Sequence, residues 1–439
     1  MAPGGETRLR RTLSQRQLVF ICLGNVIGAG IYGLVGDMAG QVGGAIWIPF
    51  LVALVLAVLT VFSYAELSSK YPRAGGAATY VLQAFRNPFL TFMVTFAMVA
   101  SAINSASTLS LAAGGYVAEI LPIPAVVTAV VLVAGLGGVT ILGVRGSARS
   151  NTVLTFVELG GLALVIVAAI AAIAVGTGTT ANLTDFDATG SSAPGGGAVV
   201  AVIAATSLAF FAFIGFEDAA NMAEETKDPA RACARALVIA ILVAAGVYLT
   251  ISVLTSIVVG GDDLAGSNAP LLEVVRNSPL GVPDTLFTAI AAIAVGNSVL
   301  INLMSSSRLL YGMADQKVLH AKLATVHPTR RTPWVASLVA IGAAMVFVFT
   351  GEVAVLATTT VTLLLAIFTL VNVSVLVLRR ERVEHKHFKA PTVLPVLGAL
   401  VCVALLTQQE PAVLLRAGVM LLIGAALWAV NHVAVRRRR

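Results

Sequence analysis

The sequence predicts an all-α integral membrane protein of about twelve transmembrane helices, and composition, apolar spacing and the placement of basic residues all predict it. Of 439 residues, 58% are hydrophobic and 11% charged, whereas a soluble domain is roughly 45–50% apolar and 25% charged. A spanning helix takes about 20 apolar residues, so the roughly 255 hydrophobic residues implied by that fraction supply about twelve spans and leave little for a soluble domain.

Reading apolar windows between polar, Pro and Gly punctuation, the first six spans fall near 18–38, 44–64, 90–117, 123–142, 152–175 and 199–223. Six more fall near 236–259, 284–307, 333–350, 353–378, 392–408 and 412–434. Arg8, Arg10, Arg11 and Arg16 before the run from Leu18 have the outline of a signal peptide, and Arg10-Arg11 that of a twin-arginine signal. The run continues past any small-residue cleavage site and the next span follows at once, so it reads as a retained first helix.

The basic residues test this count independently, because cytoplasmic loops carry the Lys and Arg excess. Of 28 basic residues, 26 fall on one side, and only Arg276 and Arg416 fall on the other. A miscounted helix before the last few would scramble that alternation. Both termini are therefore expected in the cytoplasm of a multi-pass protein of the plasma (bacterial inner) membrane, with 1–17 a cytoplasmic segment and 435–439 a basic cytoplasmic tail. The net charge of +7 is explained by topology and implies no nucleic-acid partner; the expected surroundings are membrane lipids. Cys22, Cys233 and Cys402 are odd in number and far apart, which implies no disulfide or metal framework.

The long segments 65–89 and 260–283 follow the second and seventh spans, at equivalent places. That spacing suggests two five-helix repeats, 18–175 and 199–378, with helices 11 and 12 over 392–434. A repeat with an odd number of helices is inverted relative to its partner, an architecture common in secondary transporters.

Span 1 contains Gly24-Asn25-Val26-Ile27-Gly28-Ala29-Gly30, and each glycine weakens a helix by roughly 1 kcal/mol relative to alanine. The helix is expected to open there; close packing through the Gly24/Gly28 pair is the alternative. The spacing is wrong for a dinucleotide fingerprint and no strand precedes it. Span 6, at the equivalent place in the second repeat, reads Phe210-Phe211-Ala212-Phe213-Ile214-Gly215-Phe216-Glu217-Asp218. Matching interruptions in two halves point to a binding site. Span 1 runs outward, so its second half starts near Gly30 with free N–H groups that suit an anion. Span 6 runs inward, so its first half ends near 211–214 with free carbonyls that suit an ammonium. Carboxylate and ammonium a few ångströms apart describe an α-amino acid.

These residues resemble the amino acid-polyamine-organocation (APC) superfamily of permeases. The likeness is carried by Gly24 to Gly30 with Ile31-Tyr32, Tyr64-Ala65-Glu66-Leu67, Tyr71-Pro72-Arg73-Ala74-Gly75-Gly76, and Phe210 to Phe216 with Glu224-Glu225. Ser307 to Ala314 and His327-Pro328 with Arg331-Thr332-Pro333-Trp334 extend it over nearly the whole chain. The resemblance implies a five-plus-five inverted repeat of LeuT type with discontinuous helices 1 and 6, two further helices, and alternating access. It implies backbone groups of Gly28, Ala29 and Gly30 on a substrate carboxylate, those of Val26, Phe211, Ala212 and Ile214 on its ammonium, and the Phe211 ring as a gate.

Glu158 lies inside span 5, where a charge costs roughly 2.5–3.5 kcal/mol. Some proton-coupled relatives have a lysine here, and this sequence departs from them with an acid. Its carboxyl can carry a coupling proton, or join the hydroxyls of Ser305 and Ser306 on sodium; the structural alternative is a partner of Asn104, Asn302 or a basic loop residue. Glu217 and Asp218 open the second half of span 6, as caps or as substrate contacts. Glu66, Glu224 and Glu225 at helix ends read as solvated or as an inner gate with Arg73 or Arg231. His385 and His387 lie in a basic loop without further metal ligands and read as solvated.

With the resemblance, the expected function is secondary active transport of amino acids, as proton-coupled symport through Glu158. An amino acid or amine exchanger is the alternative, with a non-transporting sensor behind it. The chain has no HExxH, GxSxG or Walker A pattern, so neither enzyme chemistry nor ATP is expected. No cofactor is expected beyond a proton gradient, or sodium. Ser101, Asn104 and Ser105 on span 3 offer no acid to a cationic side chain, which favours neutral substrates, while Glu217 and Asp218 keep amines open.

Overall fold

The computed structural model describes residues 13–27, 30–72, 75–143, 148–186, 197–223 and 226–436. Gly28, Ala29, Arg73, Glu224 and Glu225 lie outside the described residues, as does the side chain of Asp218. The described residues are helical almost throughout and contain no β-strand; one isolated bridge joins Leu13 to Thr226.

The first half of the chain holds α1 (Gln15–Ile27), α2 (Gly30–Val42), α3 (Trp47–Lys70), α4 (Gly76–Phe85), α5 (Pro88–Ala118), α6 (Ala125–Leu142) and α7 (Ala148–Ala174). The second holds α8 (Ala198–Phe213), α9 (Phe216–Asn221), α10 (Pro229–Val258), α11 (Gly261–Ala265), α12 (Pro270–Arg276), α13 (Asp284–Asp315), α14 (Trp334–Thr350) and α15 (Val353–Leu378). Two more, α16 (Val393–Thr407) and α17 (Pro411–Arg436), close the chain. Among the described residues nine helical runs are long and apolar enough to cross a membrane, with α1 and α2 taken as the single run Gln15–Val42, and α8, α14 and α16 are three shorter apolar helices. Nine and three match the twelve predicted windows one for one. The segments 65–89 and 260–283, read as connections, contain the short helices α4, α11 and α12.

Local chemistry sets several ends. The Asn87 side chain accepts from the N–H groups of Phe89 and Leu90, and Pro88 occupies the first position of α5, where a missing N–H costs nothing. The outer helices turn apolar side chains outward, with Val131 of α6 63% and Leu422 of α17 69% exposed. An exterior this apolar suits lipid and not water. Inside, α5 packs along α13 and α15, α10 packs along α3, and the α1–α2 pair lies against α8, α9 and α10.

The two basic residues that break the charge pattern are both engaged. Arg276 meets Glu119, Glu273 and Asp284 at 3.2, 2.8 and 2.9 Å. The Arg416 guanidinium donates to the carbonyl of Thr350, the last residue of α14, where a cation complements the helix dipole.

Candidate functional site

A helix break in span 6 and the glycine-rich stretch of span 1 build the site. Helix α8 ends at Phe213 and the chain turns through Ile214 and Gly215 into α9, while in span 1 the described residues stop at Ile27 and resume at Gly30. Gly215 has φ +123°, a conformation glycine adopts without strain, and a Cβ there would lie 2.7 Å from the Asn25 carbonyl oxygen. A Cβ on Gly30 would lie 2.3 Å from the Ala212 Cα. Gly30 and Gly215 thus let spans 1 and 6 meet backbone to backbone, α1 beside α9 and α2 beside α8, in antiparallel sense.

A residue that sequence reading missed joins spans 1 and 6. The hydroxyl of Tyr248, buried on α10, lies 2.5 Å from the Val26 carbonyl oxygen and 3.0 Å from that of Ala212. The Ala212 carbonyl sits in the last turn of α8, where helical partners run out, and one phenolic proton serves both carbonyls. The Ile214 N–H donates to the Phe211 carbonyl at 3.2 Å. Glu217 is buried, and its Oε2 accepts from the Gly215 N–H at 2.9 Å. The carboxylate therefore caps the break in span 6, one of its two expected roles, and it also lines the cavity beside the break.

That cavity has a volume of about 70 Å³, enough to admit water. Asn25, Val26, Gly30, Phe211, Ala212 and Ile214 line it on the side of spans 1 and 6, and α5, α13 and α15 close the other side. The neighbouring rings of Phe210, Phe213 and Phe216 each pack on another aromatic ring. Phe211 has no ring partner among the described residues.

The model of a family described as amino acid permease matches residues 13–429. The chain belongs to the amino acid permease family. It is 27% identical to a branched-chain amino acid permease of Bacillus subtilis, over 97% of this chain and 94% of the relative. It is 30% identical to the chloroplastic cationic amino acid transporter 9 of Arabidopsis thaliana, over 74% of this chain and 58% of that one. It is 26% identical to a methylthioribose transporter of Bacillus subtilis, over 90% and 87%. This permease is thus a multi-pass membrane transporter and not an enzyme.

Of the seven residues expected around a substrate, the five described ones, Val26, Gly30, Phe211, Ala212 and Ile214, line one cavity of the permease. Glu158 does not line it. Its Oε1 accepts from Asn297 Nδ2 at 2.9 Å and its backbone carbonyl from the Tyr32 hydroxyl at 3.3 Å. Its Oε2 is buried without a hydrogen-bond partner among the described residues. The partners expected from sequence lie elsewhere: Asn104 donates to Leu356 and Thr360 of α15, and Asn302 to the Ser298 carbonyl. The Ser305 and Ser306 hydroxyls are not brought to Glu158 either. Ser305 is eight residues beyond Asn297 on α13, about 12 Å along the axis, and Ser306 Oγ donates to the Leu303 carbonyl.

Glu66 departs from its expected reading as a solvated end, and Arg73 of the expected gate lies outside the described residues. It is 1% exposed and holds Arg379 through two bonds, Nε to Oε1 at 2.9 Å and a terminal nitrogen to Oε2 at 2.6 Å. The Ala390 N–H adds a third bond at 2.8 Å. The physical reason is a partner 313 residues away, which no local pattern announces. His385 is likewise engaged, its Nε2 lying 3.2 Å from the Ser69 carbonyl.

Proposed function

We propose that this permease carries amino acids across the bacterial inner membrane by alternating access, as a proton-coupled symporter with Glu158 as its protonation site. One observation supports the substrate class: the carbonyl end of α8 and the glycine-rich stretch of span 1 border one small cavity, and in this reading span 1 opens between Ile27 and Gly30. The first turn of α2 offers unpaired N–H groups and a partial positive charge to a carboxylate. The last turn of α8 and that of α1 offer carbonyl oxygens, which have two lone pairs each, so an ammonium is accepted beside the Tyr248 hydroxyl. Gly28 and Ala29, outside the described residues, belong to the carboxylate cradle by the family resemblance alone, and Phe211, free of ring partners among the described residues, gates the site in this reading. The names of two relatives, an amino acid permease and an amino acid transporter, agree with this class.

The architecture behind this reading is a five-plus-five inverted repeat of twelve spans with both termini cytoplasmic. The short helices α4, and α11 with α12, stand after the second and seventh spans and support the repeat; the neutralised Arg276 and capped Arg416 support the orientation.

Glu158 suits a coupling role through its connections. Asn297, which holds its carboxyl, neighbours Ser298 of the cavity wall, and Tyr32 ties its backbone to α2. A proton gained or lost at the Glu158 carboxyl therefore acts through Asn297 on a scaffold helix that also lines the cavity. Uptake in proteoliposomes under an imposed pH gradient tests this. Glu158→Gln keeps an acceptor for Asn297 and removes the titration, so gradient-driven accumulation is expected to vanish. Full uptake by the variant with unchanged pH dependence would overturn the coupling role, and efflux only with substrate on the opposite face would make the protein an exchanger.

A further inference from the structure

We infer that the substrate's side chain is polar and uncharged, of threonine or serine kind, and that Ser298 reads its hydroxyl. The inference deepens the amino acid reading above and rests on it. Two helices facing spans 1 and 6 carry the cavity's far wall. On α5 it is lined by Ser101 and Ser105, and on α13 by Ser298, Asn302 and Ser305. The spacings of four and of four then three residues put each set on a single helix face. Thr360 of α15 adds a sixth polar residue.

No residue of this wall is charged, so nothing there pairs with a cationic or anionic side chain. The only charged residue lining the cavity among the described ones is Glu217, beside the break in span 6, where it caps Gly215. The same wall also carries Met98, Ala102 and Leu109 of α5, Ile301 and Leu309 of α13 and Leu364 of α15, apolar surface that suits the methyl of threonine beside its hydroxyl. Ser298 is 5% exposed, and its Oγ has no hydrogen-bond partner among the described residues. Asn302 turns its Nδ2 to the Ser298 carbonyl at 2.9 Å, which leaves its Oδ1 as an acceptor. A buried polar atom left unpaired is costly, and a ligand hydroxyl removes the cost.

Discrimination by such a wall is asymmetric. An apolar pocket rejects an added hydroxyl weakly, whereas a site built to bond a hydroxyl rejects the analogue that lacks it far more strongly. Threonine and valine differ by that one group at equal shape.

Competition for binding to the purified full-length permease, with serine, threonine, valine, leucine and lysine as ligands, tests this. Threonine is expected to bind at least about tenfold more tightly than valine, and Ser298→Ala to narrow that ratio about fivefold. Valine or leucine binding as tightly as threonine would overturn the polar side-chain assignment while leaving amino acid transport intact. A threonine preference unchanged in a folded Ser298→Ala protein would overturn the role of Ser298. Binding of none of these amino acids would sink the underlying reading and this one with it. The wild-type ratio of threonine to valine decides the substrate class even if the variant does not fold.

Discussion

At the scale of single residues, one hydroxyl and one carboxyl have the largest consequences. Tyr248 occupies an otherwise unremarked apolar span, and only the packing of α10 against spans 1 and 6 gives it meaning: one phenol serves the Val26 and Ala212 carbonyls, one from each of the two. Tyr248→Phe keeps the ring, which packs on Phe50 and Phe213, and leaves both carbonyls without that donor. The variant is expected to lose about 1–3 kcal/mol of stability, read as a lower midpoint of thermal unfolding in detergent; an unchanged midpoint would mean the hydroxyl holds nothing. Glu158 stands out in the sequence because an acid inside a span is costly, but its partner was not legible. Asn297 reaches it because α13 lies against α7, and sequence spacing does not encode which faces of two helices meet.

At the scale of elements, the break in span 6 was legible, and the glycines at the site have a sharper cause than weak helix propensity. Gly30 and Gly215 are needed because two backbones approach closely, with Ala212 and Asn25 where side chains would otherwise be. Gly30→Val is therefore expected to force α2 away from α8 and to abolish substrate binding. Folding is checked by size-exclusion chromatography; a well-folded variant with normal binding would defeat the assignment. The ends of the spans followed apolar periodicity closely, since lipid contact demands apolar surface along whole helices. The short helices α4, α11 and α12 fall in segments with mixed polarity, where no long apolar run marks them.

At the scale of the whole molecule, a joint far from the cavity ties the end of α3 to the segment between α15 and α16. Glu66 holds Arg379 and the Ala390 N–H, the Ser69 hydroxyl accepts from the Phe388 N–H at 3.1 Å, and Lys70 Nζ donates to the carbonyls of Leu378 and Glu381. Tyr71 adds a 2.8 Å bond to Glu381, and burial together with that bond raises its hydroxyl above the ordinary phenol range. Glu66→Ala leaves a half-buried guanidinium without its anion and is expected to cost about 3 kcal/mol. Arg86→Ala breaks only an exposed 3.6 Å pair with Glu381 and is expected to change stability by less than about 0.5 kcal/mol. Unfolding midpoints of the two variants side by side check both, and equal effects would mean the joint is not structural.

By itself the sequence determined the membrane solvent, the apolar helical windows, the interruption of span 6 and the family likeness. Each of these rests on apolar content, on glycine, or on a motif, all of which are local along the chain. Only the tertiary structure decided that five residues of spans 1 and 6 line one cavity, that Tyr248 bridges the two spans, that Asn297 holds Glu158 and that Glu66 is buried on Arg379. Those are pairings between helices, set by which faces meet when apolar surfaces and close backbone contacts are satisfied together.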